Sequence, residues 1–193
     1  IDAFLKERGF YFFSPEFILV KTDTTIGNHL VNMYVTVKPD IPFESREVYR
    51  IKDVQIYTGY SLNMDRIDSS RSQAQLYKGY YIIDRRKRYK PRMFAETMKF
   101  KPGDIYNRTD HNLTLNRLVN LDLFKFVKNR FEINTSTDTA YLDAFYYLTP
   151  LPRKSLRAEF TTTTRSNNLN GSLISVSWKD RNIFRGGEHI TLS

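Results

Sequence analysis

Aromatic, polar and apolar segments recur in the same order at two places along the chain, which predicts two copies of one β-hairpin. The first copy begins with the aromatic segment 9–17 and ends at Pro39. The second begins with the aromatic segment 124–131, passes through a Thr-rich cluster at 135–139 and ends at Pro150. An aromatic strand, a polar turn and a second strand ended by proline are typical of a hairpin.

Two helices are predicted upstream of the second hairpin. The first begins at Pro91, where proline is favoured, and is ended by the Lys-Pro-Gly segment 101–103. The second takes its capping residue from segment 108–110. Its apolar stripe follows the i, i+3, i+4 spacing of an amphipathic helix and consists of Leu115, Leu118 and Val119.

A stretch rich in β-branched residues, 47–58, predicts the strand that opens the same unit. Residues 46–152 therefore have the order strand, insertion, helix, helix, strand, strand. Upstream of the first hairpin only residues 1–8 remain, which predicts one helix that Gly9 ends. We therefore expect the first copy of the unit to be truncated.

The insertion covers residues 60–90 and lengthens the second unit. Its first part, 61–72, is polar and turn-like. Its second part, 76–83, is rich in Tyr and Ile and predicts an additional strand or ribbon. This ribbon leads directly into the most basic part of the chain.

Positive charge is concentrated at the end of the insertion. Residues 84–92 carry six positive charges and one negative, so they contribute +5 to the formal net charge of +9. Three interpretations follow: a solvated loop, contact with membrane headgroups or an acidic partner, and a nucleic-acid-binding module. The six cations, called the basic patch below, are Arg85, Arg86, Lys87, Arg88, Lys90 and Arg92.

The last part of the chain follows a strict alternation of apolar and polar residues. Ile174, Val176 and Trp178 alternate with serines, and an Asn-Gly pair at 170–171 predicts a hairpin turn between this strand and the strand 155–165. A third strand begins near residue 188. Such strands fit the start of a transmembrane barrel, and they also fit an amphipathic sheet of a soluble domain.

Composition narrows the classes of function. The chain has no cysteine, which excludes disulfides and a cysteine nucleophile, and its three histidines lie far apart in sequence. Carboxylates are scattered, and no glycine-rich loop opens a helix. We therefore expect no enzyme, no metal and no cofactor. No run of 18 apolar residues is present, which excludes a transmembrane helix in this sequence.

The motifs resemble those of a known family. Gly103-Asp104-Ile105-Tyr106, the following helix and Phe124-Lys125-Phe126-Val127 are similar to a polypeptide-transport-associated (POTRA) domain. The segment 181–188 is similar to the "N-R-N-x-F-x-G-G" turn at the start of the barrel in the BamA/TamA superfamily. Its matching residues, called the barrel-start motif below, are Arg181, Asn182, Phe184, Gly186 and Gly187. The glycine of the family's "L-G-x-F" is replaced by Asp122 or Leu123.

The resemblance implies an α+β fold class with POTRA-like β-α-α-β-β repeats. Residues 1–45 would be the C-terminal half of one POTRA-like domain, and 46–152 a complete one with the insertion at 60–90. Residues 153–193 would be the first antiparallel strands of an outer-membrane β-barrel. Because the chain starts with isoleucine and stops inside a strand, we expect it to be a segment of a longer protein.

The implied function is that of the periplasmic arm of an outer-membrane assembly or translocation protein in the bacterial cell envelope. Its partners would be unfolded outer-membrane protein clients, periplasmic accessory lipoproteins or assembly subunits, and the outer membrane through the full-length barrel. General barrel assembly, a TamA-like role and two-partner secretion all remain open. The implied mechanism is β-augmentation, in which a client strand pairs with a free sheet edge.

We expect that edge to be the strand 124–133, and its proposed partner-binding residues are Phe124, Phe126, Lys128 and Arg130. The alternative is that its aromatic side chains fill the domain core, which is compatible with a free backbone edge. We expect no nucleic acid as a partner, although a nucleic-acid-binding module that uses residues 85–92 is the main alternative function.

A secreted eukaryotic adhesion domain is a further alternative, because four sequons for N-glycosylation begin at Asn107, Asn112, Asn134 and Asn170. Three barrel strands cannot close a barrel by themselves. We therefore expect the strands after residue 153 to pair as a dimer or to dock onto residues 1–40.

Overall fold

Segments rich in β-branched and aromatic residues form the strands of three sheets in the computed structural model, which describes residues 1–27, 30–61, 74–135, 140–164 and 170–192. Within these ranges the helices are α1 (Asp2–Lys6), α2 (Pro91–Thr97) and α3 (Arg108–Asn120). The strands are β1 (Ile18–Asp23), β2 (Asn32–Val37), β3 (Arg50–Tyr57), β4 (Gln75–Tyr77), β5 (Tyr80–Ile83), β6 (Phe124–Ile133), β7 (Tyr141–Pro150), β8 (Lys154–Thr164), β9 (Asn170–Arg181) and β10 (His189–Leu192).

The largest sheet has five strands in the order β4-β5-β3-β7-β6. Its central strand β3 runs parallel to both neighbours, β5 and β7, whereas β6 pairs antiparallel with β7. The chain order β3, insertion, α2, α3, β6, β7 confirms the predicted order of strand, insertion, helix, helix, strand, strand. None of the helices in the described ranges is long and apolar enough to cross a bilayer.

The hydrophobic core lies on one face of this sheet, beneath α2 and α3. Along β7 every second residue is buried, as the two-residue period of a strand requires. Phe94 on α2, Leu118 on α3 and Tyr146 on β7 are fully buried and belong to one contiguous cluster. Burying large apolar side chains of this kind stabilises the fold by about 1.5–3 kcal/mol each.

The prediction of an aromatic strand in the first hairpin is wrong. Residues 9–17 form no strand: Gly9 has φ +97°, a 3-10 turn covers Pro15–Phe17, and β1 begins only at Ile18. The aromatic rings of this segment pack into the neighbouring core instead. The Tyr11 ring lies 4.9 Å from the ring of Tyr106, and Phe12 also packs against that core. The first hairpin is therefore β1–β2.

Two helix predictions need correction. The capping residue of α3 is Asn107, whose side-chain oxygen accepts a hydrogen bond of 3.0 Å from the amide of Asp110. The buried side of α3 consists of Thr114 and Leu118, whereas Val119 from the predicted stripe is 56% exposed. The helix α2 ends at Thr97, before the predicted end at 101–103.

The described part of the insertion adds two strands to the large sheet, and the extra ribbon predicted over 76–83 is the β4–β5 hairpin. Lys78 and Gly79 connect the strands with φ of 50° and 87°, which is the conformation that a two-residue hairpin turn requires. Pairing of β5 with β3 occupies the side of β3 away from β7. The polar part of the insertion, 62–73, lies outside the described residues.

The alternation predicted for the last strands is present. In the sheet β10-β9-β8, Leu156 pairs with Trp178 and Phe160 pairs with Ile174 on one face. Leu156, Phe160 and Ile174 are about two-thirds exposed or more. The predicted turn falls largely on 165–169, outside the described residues, as does the part 136–139 of the turn in the second hairpin.

The tail strands do not dock onto the first hairpin. Among the described residues, β8, β9 and β10 pair only with one another, and β1 pairs only with β2. The prediction of docking onto residues 1–40 is therefore wrong for this chain. Dimerisation through these strands stays a prediction.

Candidate functional site

The strand β6 is an edge of the five-stranded sheet. It is ten residues long and pairs with β7 on one side, and no other strand of the described ranges pairs with its outer side. In an antiparallel edge strand, alternate residues direct their N–H and C=O groups away from the sheet. The opposite edge, β4, has three residues and offers far fewer such groups.

The side chains predicted to bind a partner divide between the two faces of β6. Phe124 is buried in the core at 6% exposure, so it is not available to a partner. The register shifts between Phe124 and Phe126, and Phe126 is 45% exposed on the opposite face. Lys128 and Arg130 are also exposed and follow Phe126 at two-residue spacing.

The same face carries an aromatic ladder on the strands next to β6. Tyr147, which lies opposite Lys128, stacks on Tyr57 of β3 with ring centroids 5.2 Å apart. Phe145, which lies opposite Arg130, stacks on Tyr147 at 6.4 Å. Sequence reasoning missed this ladder, although the alternation of aromatic residues in the predicted strand ending at Pro150 contained the signal.

Only half of the basic patch lines a cavity. Arg86, Lys87 and Arg88 line a cavity together with residues from the barrel-start motif, whereas Arg85, Lys90 and Arg92 do not line it. Arg92 forms an exposed ion pair with Glu96 one turn along α2. Such pairs are worth at most about 1 kcal/mol.

The barrel-start motif forms a tight turn that packs against the basic patch. Asn182 has φ +66°, and its side-chain nitrogen donates a hydrogen bond of 2.9 Å to the backbone oxygen of Arg88. Its side-chain oxygen accepts a hydrogen bond of 3.1 Å from the amide of Gly187. The motif therefore connects the end of β9 to the end of the insertion.

Two further carboxylates in this region were missed in the sequence. Glu188 accepts a hydrogen bond of 3.0 Å from the amide of Gly186, and backbone amides, its own first, hold the pKa of Glu188 below its usual value. Asp122 accepts a hydrogen bond from Lys179, which lowers the pKa of Asp122. Of the two residues that could replace the glycine of the motif, Asp122 is the one with a left-handed backbone, at φ +50°.

Two separate surfaces therefore emerge from the predicted site residues. The first is the β6 edge with Phe126, Lys128 and Arg130 on its exposed face. The second is the junction at which Arg86–Arg88 meets the barrel-start motif. Phe184, which is 64% exposed, makes no packing contribution to the core cluster.

No protein-family model matches the chain, and no curated protein matches it in sequence. Among solved structures, the chain is similar to BamA from Haemophilus ducreyi lacking POTRA domains 1–3, with a TM-score of 0.56 and 12% identity. That similarity covers 100% of this chain and 28% of that chain. CdiB from Acinetobacter baumannii has a TM-score of 0.47 and 14% identity over 97% of this chain and 27% of its own.

POTRA domains 3–5 of BamA from Haemophilus influenzae have a TM-score of 0.41 and 16% identity, over 77% of this chain and 44% of that one. The chain thus spans about 28% of the length of the Haemophilus ducreyi BamA chain. The similarity to that BamA chain shows a shared fold. It confirms the predicted fold class, a POTRA-like α+β arrangement followed by antiparallel strands.

Proposed function

We propose that the chain is a segment of an outer-membrane assembly or translocation factor and that β6 binds an extended strand of a client protein. The shared fold with BamA supports the general role. The observation that carries the mechanism is the position of β6 at the edge of the five-stranded sheet. The periplasmic side of the bacterial outer membrane is the corresponding location.

Main-chain pairing at this edge would serve clients of many sequences. Each hydrogen bond of an added strand contributes about 0.5–1.5 kcal/mol net, and its strength depends little on the client's side chains. Side chains on alternate positions would then contact Phe126, Lys128 and Arg130. Phe126 offers an apolar contact and Lys128 a positive charge, whereas Arg130 already forms an ion pair with Glu132 two residues along the strand. An unfolded strand with apolar and acidic residues at alternate positions therefore fits this face.

The division of the chain follows from the same proposal. Residues 1–45 belong to a preceding POTRA-like domain, 46–152 form the client-binding domain, and 153–193 supply the first strands of a transmembrane barrel. The exposed apolar stripe of Leu156, Phe160 and Ile174 would then face lipid. Accessory lipoproteins or assembly subunits remain candidate partners, and the proposal assigns no catalytic residue.

Site-specific cross-linking tests the edge, because the chain contains no cysteine and each introduced cysteine is unique. Lys128→Cys places a thiol on β6, and Leu76→Cys places a matched thiol on the opposite edge strand β4, where Leu76 is 61% exposed. The ligand is an alternating peptide of about ten residues, the length of a barrel strand, with one central cysteine. We expect disulfide capture at position 128 and not at position 76.

A second measurement tests whether the backbone carries the interaction. Hydrogen exchange should slow at β6 amides on peptide binding, and N-methylation of alternate peptide residues on one side should abolish binding. Equal capture at positions 76 and 128, or binding that survives N-methylation on either side, would contradict strand addition at β6.

Salt separates this proposal from nucleic-acid binding by residues 85–92. Peptide binding through main-chain hydrogen bonds should change little between low and moderate salt, whereas affinity for a DNA duplex would fall steeply through counterion release. A chain that binds duplex DNA tightly and the alternating peptide not at all would favour the nucleic-acid alternative.

A further inference from the structure

A cavity of about 580 Å³ lies where the insertion meets the first barrel-like strands. Its lining combines segments that are far apart in sequence: the basic patch, the residues before β8 and the end of β9 with the following turn. Six of the lining residues are cations, namely Arg86, Lys87, Arg88, Arg153, Arg181 and Arg185. No carboxylate is among the lining residues.

Most of this charge has no counterion in the part of the chain that the structure describes. Arg153 pairs with Asp180 at 2.9 Å, and Arg181 lies 3.5 Å from a carboxylate oxygen of Asp122. The Nε–H group of Arg181 is buried and donates no hydrogen bond at that longer distance. The four other cations make no ion pair within the described ranges, so at least four of the six positive charges lining the cavity are not neutralised there.

The two cationic segments are fixed against each other by uncharged contacts. The amide of Lys90 donates a hydrogen bond of 2.7 Å to the backbone oxygen of Arg185, and the side-chain nitrogen of Asn182 donates one to the backbone oxygen of Arg88. Lys87 and Arg185 have φ of 47° and 65°, a left-handed conformation that residues other than Gly, Asn and Asp seldom adopt. Strain of this kind is typical of segments that hold a ligand.

From this arrangement we infer that the cavity binds the phosphate group of an anionic ligand. Guanidinium groups donate paired hydrogen bonds that match phosphate oxygens, and several of them converge here on one space. A nucleic-acid backbone would instead need cations spread along an open surface. The inference goes beyond the proposed client-binding role of β6 and does not depend on it.

The surroundings of the cavity are compatible with two sources of phosphate. Leu123, Leu151 and Ile183 give it apolar walls, which suit the glycerol and acyl parts of a lipid headgroup region. Arg153 and Arg181 also place it at the end of β8 and β9 whose outer face carries the exposed apolar stripe. A soluble phosphate compound would satisfy the same cations without using these walls.

Binding should be measured with the full chain and two kinds of probe. Flotation with phosphatidylcholine vesicles containing phosphatidic acid reports the lipid source, and calorimetry with inorganic phosphate and glycerol 3-phosphate reports the soluble source. The cavity variant is Arg86→Gln, Arg88→Gln and Arg185→Gln combined. The matched control, Lys38→Gln, Lys99→Gln and Lys101→Gln combined, makes the same change in charge at exposed positions that do not line the cavity.

We expect the cavity variant to bind at least about tenfold more weakly than the parent chain, since each lost charge-assisted hydrogen bond weakens binding severalfold. The control should change binding by less than about threefold, because distant exposed charges are screened. If soluble phosphate does not displace the chain from vesicles, the ligand is a lipid headgroup. If soluble phosphate displaces the chain, the phosphate group alone is sufficient for binding. Either result supports the site.

Equal loss in the cavity and control variants would overturn the inference, because it would show non-specific attraction. So would binding to a polyanion without phosphate, such as polyglutamate, that is stronger than binding to every phosphate probe. Circular dichroism checks folding of each variant. If the Gln variant does not fold, an Arg→Lys variant at the same three positions replaces it: several-fold weaker binding supports recognition by guanidinium groups, and unchanged binding contradicts it.

Discussion

The carboxylate of Asp122 accepts a hydrogen bond from the ammonium group of Lys179, and this contact joins the turn after α3 to strand β9. Arg181 lies 3.5 Å from the same carboxylate. Asp122 is in the left-handed backbone region at φ +50°, a conformation that aspartate tolerates better than most residues. One residue thus forms the helix-ending turn and holds the tail strands to the α+β unit.

The variants Asp122→Gly and Asp122→Ala should separate the two roles of this residue. Glycine relieves the left-handed backbone and loses the ion pairs, so we expect a change in unfolding free energy within about 1 kcal/mol. Alanine loses the ion pairs and keeps the strain, so we expect a loss of about 1–2 kcal/mol. Urea unfolding of the parent and both variants measures the difference. Equal stability of the two variants would contradict the assigned backbone strain.

Acid should weaken the contact between Asp122 and Lys179. The hydrogen bond from Lys179 lowers the pKa of Asp122 in the folded state, so the contact stabilises the fold above about pH 4 and is lost as pH falls through the lowered pKa. The Asp122 side chain is 46% exposed, so solvent screening limits the effect to about 1 kcal/mol or less. Asp122→Asn removes the titrating group, so between pH 7 and pH 2 the unfolding free energy of this variant should fall less than that of the parent chain.

His111 should make stability depend on pH in a higher range. Its Nε2 atom lies 3.0 Å from the side-chain oxygen of Asn129, which only accepts, and its Nδ1 atom lies 3.1 Å from the hydroxyl of Tyr106. A neutral ring with its proton on Nε2 satisfies both contacts. Burial first, and the nearby charge of Arg108, lower the pKa of His111. The unfolded chain therefore takes up the proton first, and the unfolding free energy should decrease as pH falls below about 6.5.

The variant His111→Gln tests that pH dependence, because glutamine does not titrate. The slope of stability between pH 7 and the lowered pKa of His111 should become smaller, whereas the control Lys101→Gln should keep the slope of the parent chain. An unchanged slope in His111→Gln would show that the ring is not neutral in the fold. Thermal unfolding followed by circular dichroism is sufficient.

Two phenylalanines of β6 should respond differently to truncation. Phe131 is 8% exposed and its ring packs at 5.4 Å from Tyr106 and 5.0 Å from His111, so Phe131→Ala should destabilise the chain by about 3–5 kcal/mol. Phe126 is 45% exposed, so Phe126→Ala should change stability by less than about 1 kcal/mol. Denaturant unfolding distinguishes them, and similar losses would contradict the division of β6 into a core face and an exposed face.

Replacing Asn182 should destabilise the chain because the hydrogen bonds of its side-chain amide are lost, and not because its backbone conformation changes. Asn182→Gly keeps the left-handed backbone at φ +66° but loses the hydrogen bonds to Arg88 and Gly187, so we expect destabilisation by about 1–3 kcal/mol. Asn182→Asp keeps the acceptor for Gly187 and should lose less. Thermal unfolding of both variants measures the order, and a stabilising effect of Asn182→Gly would contradict it.

The order of elements over 46–152 could be predicted because periodicity depends on local sequence. The aromatic segment 9–17 could not, because Tyr11 and Phe12 pack, partly buried, against a core formed by residues more than 30 positions later, such as Tyr49. Tertiary packing decides between strand and loop in such cases. The strand 124–133 was predictable from its aromatic residues, and its position at a sheet edge was expected from the family resemblance, but the register shift that exposes Phe126 was not predictable.

The cavity between the insertion and the first barrel-like strands could not be predicted from the sequence either. Arg88 and Asn182 are 94 residues apart in sequence and meet through a single side-chain hydrogen bond. Charge counting located the basic patch, but only the fold shows which of its members meet the cations of the barrel-start motif. The left-handed position of Asp122 was similarly hidden, because both Asp122 and Leu123 could replace the glycine of the motif.

The β4–β5 hairpin has a consequence for stoichiometry. It occupies the side of β3 away from β7 and ends the sheet there in a strand of three residues. A sheet with one long edge can be extended in one direction only, so it cannot act as a link in an open chain of paired strands. If strand addition at β6 is correct, each copy of this sheet offers one long edge at which a client strand can pair with it directly.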